Sequence, residues 1–147
     1  MTNLLPPTIK FDYSNVKSGF ATFSIMMNGE VYALSPGYLH DTLGDIVRAG
    51  IFLCGGGMSA TVQMDEETGT TTRVIFSWWG DVEISISDKT VFSQRVELET
   101  VIRAIIDMAE TVLETYSDEE YRDLWVMHDL PRDDIRLLKD LMERRAF

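Results

Sequence analysis

Along the chain, strand-like runs give way to helical spacing, return to strict alternation, and end in helical spacing again. The runs FATFSIMM (20–27) and EVYAL (30–34) flank Asn28-Gly29. A two-residue type I′ turn needs positive φ at both central positions, which Asn-Gly supplies, so these runs predict a hairpin. TIKFDY (8–13) alternates weakly and predicts a short strand before it. Ser35-Pro36-Gly37 then breaks the pattern. From Tyr38 to Leu53, residues Leu39, Leu43, Ile46, Val47 and Ala49 fall at helical spacing.

Alternation resumes beyond the glycines. Met58, Ala60, Val62 and Met64 lie on one side of a strand, with Ser59, Thr61 and Gln63 on the other. TTTRVIFSWW (70–79) is β-branched and aromatic, and VEISIS (82–87) places Val82, Ile84 and Ile86 together. TVFSQRV (90–96) makes a fourth strand. The short turns between these runs predict an antiparallel meander.

From Leu98 the period is helical. Leu98, Val101, Ile102, Ile105, Ala109, Val112, Leu113 and Tyr116 share one face. The opposite stripe is Glu99, Arg103, Asp107, Glu110 and Glu114, and it continues into Asp118, Glu119 and Glu120. Arg103 is placed to relieve its neighbours at i−4 and i+4. Ser117 and Glu120 fit a capping box, which predicts a short helix through Trp125. Leu130-Pro131 stops it and opens a last helix. There Ile135, Leu138, Leu141 and Met142 make the apolar face, with Asp133 and Asp134 at the positive end and Arg144 and Arg145 at the negative end. The expected fold is α+β in one domain over residues 1–147. It has an antiparallel sheet of five to seven strands, one early helix, and two or three C-terminal helices packed on one face.

Charge adds a functional constraint. The net charge is −11, of which residues 97–147 carry −7. Such a field repels nucleic-acid phosphates and anionic membrane and attracts basic partners, although acidity also serves solubility. No apolar run approaches the roughly 20 residues of a membrane span, and the first residues lack the basic and apolar regions of a secretory signal. A single cysteine excludes an intramolecular disulfide and suits a reducing cytoplasm.

The stretch LCGGGMSATVQM (53–64) is the first that resembles a chemical motif. Gly55, Gly57 and Ala60 match G-x-G-x-x-[G/A]. A dinucleotide site needs strand, glycines, helix; here helix precedes and strand follows. No lysine lies between Lys17 and Lys89, which excludes a P-loop, and Gly57-Met58-Ser59-Ala60-Thr61 lacks the second glycine of a nucleophile elbow. The glycines are expected to end a helix and turn the chain into the sheet. Cys54 is expected to be a small buried hydrophobe; acting as a nucleophile would require a base such as His40 or His128. Two histidines and one cysteine do not supply a metal centre, and Asp65-Glu66-Glu67 lacks the ligand spacing of a calcium loop. No cofactor is expected.

Trp78 and Trp79 point to opposite faces of their strand. Trp78, in phase with Val74 and Phe76, is expected to join the core. Trp79 is expected on the far face, under loops or at a binding or dimer surface. The WWGDVEISI meander (78–86), leading into the long acidic helix, resembles small acidic bacterial proteins, among them the immunity proteins of polymorphic toxin systems. The resemblance covers about residues 38–125 and carries no family motif, so no functional residue transfers. It implies an inhibitor of a basic protein, often a nuclease toxin.

The leading expectation is a non-enzymatic binding protein. It would meet a basic partner through Trp79, Glu99, Asp107, Glu110, Glu114, Asp118 and Glu119. Two alternatives stand beside it: a small-ligand binder or enzyme built on the sheet and the Cys54/His40 region, and a structural homodimer through the Trp79 face.

Overall fold

The computed structural model describes residues 8–66, 69–78, 81–86, 89–125 and 128–145. It shows a mixed α+β fold with one early helix and three C-terminal ones. The first three strands are β1 (Ile9–Lys17), β2 (Phe20–Met27) and β3 (Glu30–Leu34), antiparallel and in sequence order. The Asn28-Gly29 turn has φ of 50° and 86°, as the hairpin pattern required. β1 runs beyond the expected 8–13. Ser18 and Gly19, with φ of 53° and 79°, supply a second turn of the same kind. A bulge between Ser14 and Lys17, where Asn15 also has positive φ, interrupts the alternation that would have marked the strand.

The remaining strands are β4 (Ser59–Asp65), β5 (Thr71–Ser77), β6 (Asp81–Ile86) and β7 (Lys89–Arg95), an antiparallel meander in sequence order. The seven strands form two antiparallel sheets, of three and of four strands, where the sequence led one to expect a single sheet, and the segment after β3 stitches these two ladder systems together. Ala21 N donates to Pro36 O at 3.1 Å on one side, and Gly37 N donates to Asp65 O at 2.9 Å on the other. Ser35-Pro36-Gly37 thus ends β3 and bridges the two sheets. The ring of Phe11 lies 5.8 Å from Phe23 and 6.0 Å, edge-on, from Phe76, so the two ladders curl toward a shared core.

Helix α1 (Thr42–Cys54) starts four residues later than the spacing suggested. Asp41 caps it, accepting from Gly44 N at 3.2 Å, and Leu39 stays outside the helix, exposed. At the other end Gly55 N bonds Ile51 O and Gly57 N bonds Phe52 O, while Gly56 has φ of 96°. The glycines are a helix end followed by a turn into β4, as read from the sequence. A Cβ on Gly57 would meet the half-exposed Phe52 ring, which would have to swing aside.

Helices α2 (Leu98–Thr115), α3 (Asp118–Trp125) and α4 (Arg132–Arg144) complete the chain. α2 packs on β1, and α1 packs on β4 and on α4. The α2 face of Val101, Ile102, Ile105, Ala109 and Val112 is buried as its spacing required. The capping box is formed: Glu120 N donates to Ser117 Oγ at 3.1 Å and Ser117 N to Glu120 Oε1 at 3.2 Å.

The tryptophans depart from expectation. β5 ends at Ser77, and Trp78, although in phase with buried Val74 and Phe76, is 48% exposed beside Met58. Among the described residues the core tryptophan is Trp125, fully buried beside Tyr13 and Tyr121. Trp79 lies outside the described residues.

Candidate interaction surface

α2 and α3 position the acidic residues, and the structure divides them into two sets. Glu99 is bridged by Arg103 at 2.9 Å, the i−4 contact expected from the sequence. Glu110 meets Lys139 of α4 at 2.7 Å, and Asp118 meets Arg132 at 2.8 Å. These three carboxylates are answered within the chain. Asp107, Glu114 and Glu119 are exposed and have no ion pair among the described residues. The stripe read from spacing alone is therefore half neutralised by α4. Lys139 and Arg132 were missed because they lie far along the chain, on a helix whose docking against α2 no local pattern encodes.

Beside Asp107 a groove runs between α2 and β1, lined by Ile9 to Tyr13 and by Ala104, Asp107, Met108 and Thr111. A second groove, between α2 and α4, has both signs of charge, with Glu110, Glu143 and Asp140 facing Arg132, Arg136 and Lys139. Only the first groove joins an unpaired carboxylate of the ridge to the sheet.

The Cys54/His40 region does not form one site. The residues stand at opposite ends of α1, whose 13 residues span about 20 Å at 1.5 Å each. Burial pushes the Cys54 thiol above its ordinary range, and Arg145, which donates to the Cys54 and Leu53 carbonyls, offsets this in part. The thiolate that a nucleophile needs is disfavoured there. His40 Nε2 lies 3.0 Å from Asp65 Oδ2, and His128 Nε2 lies 2.9 Å from Tyr38 O. Both imidazoles thus hold the stitching segment between the ladders. A cavity of about 320 Å³ near His40 is lined by Phe20, Gly37, Tyr38, Leu39, Asp65, Glu66 and Gly69. Glu66 is engaged by Ser35 N at 3.0 Å and by Thr72 Oγ1 at 2.5 Å, so its carboxylate secures the same seam.

Arg48 gathers three carboxylates, Asp41 at 3.0 Å, Asp45 at 2.8 Å and Asp134 at 3.1 Å, and ties α1 to α4. Among the described residues no group of three or more His, Cys, Asp or Glu is disposed to hold a metal ion. No helix of the described residues is long and apolar enough to cross a membrane. Comparison with protein-family models, with curated proteins and with solved structures finds no match to this chain.

Proposed function

We propose that this chain is a non-enzymatic binding protein that meets a basic protein partner through the acidic ridge of α2 and α3. Its mode of action would be that of an immunity-type inhibitor. The observation that carries the reading is the set of three exposed carboxylates, Asp107, Glu114 and Glu119, that have no cation among the described residues while their neighbours Glu99, Glu110 and Asp118 are paired. Surface carboxylates without cations, on a chain with net charge −11, steer a cationic partner and make its association fast and salt-sensitive.

The test is capture from host lysate by the tagged chain and by a Glu114→Lys/Glu119→Lys variant, each washed at low and at high salt. A basic protein retained by the original chain, released at high salt and lost from the variant, supports the reading. Equal retention by both chains counts against the ridge. A bound protein that is itself acidic counts against the electrostatic mechanism.

A further inference from the structure

We propose that the open edge of β1 is a strand-addition site, where an extended basic segment of the partner lies in the groove between β1 and α2. The inference rests on the acidic-ridge reading and narrows it to one place and one mode of contact.

β1 is the outermost strand of its ladder. Which of its backbone groups face outward follows from the register. Met27 and Glu30 flank a two-residue turn, and such flanking pairs exchange their hydrogen bonds. Met27 therefore turns its N–H and C=O toward β3, and its partner on the other side, Ile9, turns its own away from β2. Thr8 N confirms the phase, since it points inward to Asn28 Oδ1 at 3.3 Å. With period two, Ile9, Phe11 and Tyr13 present N–H and C=O groups to the open edge. Beyond the bulge, Val16 N is met by the Tyr116 hydroxyl at 3.3 Å. Among the described residues no such partner meets Ile9, Phe11 or Tyr13 on that edge.

The space beside them has room for a chain. Five consecutive residues, Ile9 to Tyr13, line one cavity of about 360 Å³. Their side chains alternate between the faces of the sheet, so a cavity touching all five lies along the strand's edge. Ala104 and Met108 of α2, both buried, form an apolar floor suited to small side chains. Asp12 and Asp107 line the groove, against Lys10 as its one cation. An added strand would satisfy the edge, place small apolar residues over the floor, and turn the lysines or arginines that alternate with them to the opposite face of the sheet, where Asp12 lies. A second copy of this chain suits the groove less well, since pairing two β1 edges brings two acidic ridges together.

The probe is a short fluorescein-labelled peptide of alternating lysine and valine, mixed with the full chain. A peptide of the same composition, with lysines and valines in separate blocks, is the control. Amide hydrogen exchange at Ile9, Phe11 and Tyr13 is the decisive readout, with fluorescence anisotropy at low and high salt beside it. The alternating peptide should slow exchange at these three amides, and the block peptide should not. Ile9→Pro removes one outward N–H while sparing the β1–β2 ladder, and should weaken the alternating peptide about tenfold. Thr111→Trp fills the exposed rim and should do the same if the proline variant does not fold. Equal binding of both peptides with no protection of the three amides would overturn strand addition and leave the acidic ridge standing. Failure of both peptides to bind at low salt would overturn both readings. Self-association of the free chain that Ile9→Pro abolishes would assign the edge to a second copy and overturn the proposal.

Discussion

The hydroxyls of Tyr13 and Tyr121 lie 3.2 Å apart inside the core, 108 residues apart in sequence, and join β1 to α3. The rings of Tyr13 and Tyr121 both contact that of Trp125, and Tyr121 also meets Tyr116. This aromatic group fixes the short helix against the strand edge and thereby one end of the groove. Tyr13→Phe or Tyr121→Phe alone leaves one buried hydroxyl without its partner and should cost about 1–2 kcal/mol in urea unfolding. The double variant should cost less than the sum of the two, because no hydroxyl is stranded. Additive losses would show that the two groups act independently.

The same pair predicts alkaline sensitivity. Burial, first, holds both phenols protonated, so their pKa values lie above the ordinary 10.0. A group that binds its proton more tightly when folded contributes its full stability below the unfolded pKa. That contribution falls as pH rises above 10 toward the folded values. The unfolding free energy should therefore be flat in this respect up to about pH 10 and decline above it, and Tyr13→Phe/Tyr121→Phe should flatten the decline. Ultraviolet titration of tyrosinate should show late-ionising residues that titrate together with unfolding.

Arg48 is the junction of α1 with α4. Arg48→Met removes the cation and leaves Asp41, Asp45 and Asp134 facing one another. The side chain is partly exposed, so the expected loss is about 1 kcal/mol, larger at low than at high salt. Asp134→Asn removes only the α4 contact and should lose less. A thermal shift insensitive to salt would argue that Arg48 acts through packing of its stem instead.

Cys54 should react slowly with a thiol reagent in the folded chain, because burial raises its pKa. The rate should climb with urea along the unfolding curve. Fast labelling in native buffer would return the cysteine to the list of candidate nucleophiles.

Gly56 and Gly55 form a paired test of the helix end. At Gly56 a side chain would find open space but a φ of 96°, so Gly56→Ala should cost about 1 kcal/mol through backbone strain alone. Gly55, with φ of −82°, should tolerate alanine with little loss. Equal stabilities of the two variants would dissociate the glycine run from the turn.

What was legible in the sequence was local. Asn28-Gly29, the alternation at Met58–Met64, the Ser117/Glu120 box and the apolar face of α2 each specify a backbone conformation within a few residues, where propensity and period act directly. From these the strands, their antiparallel order and the placing of the helices follow. The Ser14–Lys17 bulge was hidden because it breaks the alternation, and the true end of β5 because the alternation runs on past Ser77 to Trp78. Trp78, beyond that end, lies outside the core, whereas Trp125 on α3 is buried in it.

The candidate surface shows the same division. The sequence by itself determined that acid gathers in the last third and lies along one stripe of α2. Only the tertiary structure decided which acids remain unpaired, because Lys139 and Arg132 reach Glu110 and Asp118 across helix contacts that depend on core packing. It also decided that Cys54 and His40 are held apart by the length of α1, and that, among the described residues, the edge of β1 lies open beside Asp107. Period and propensity act between neighbours in the chain, whereas charge pairing and open edges depend on which distant segments the burial of apolar surface brings together.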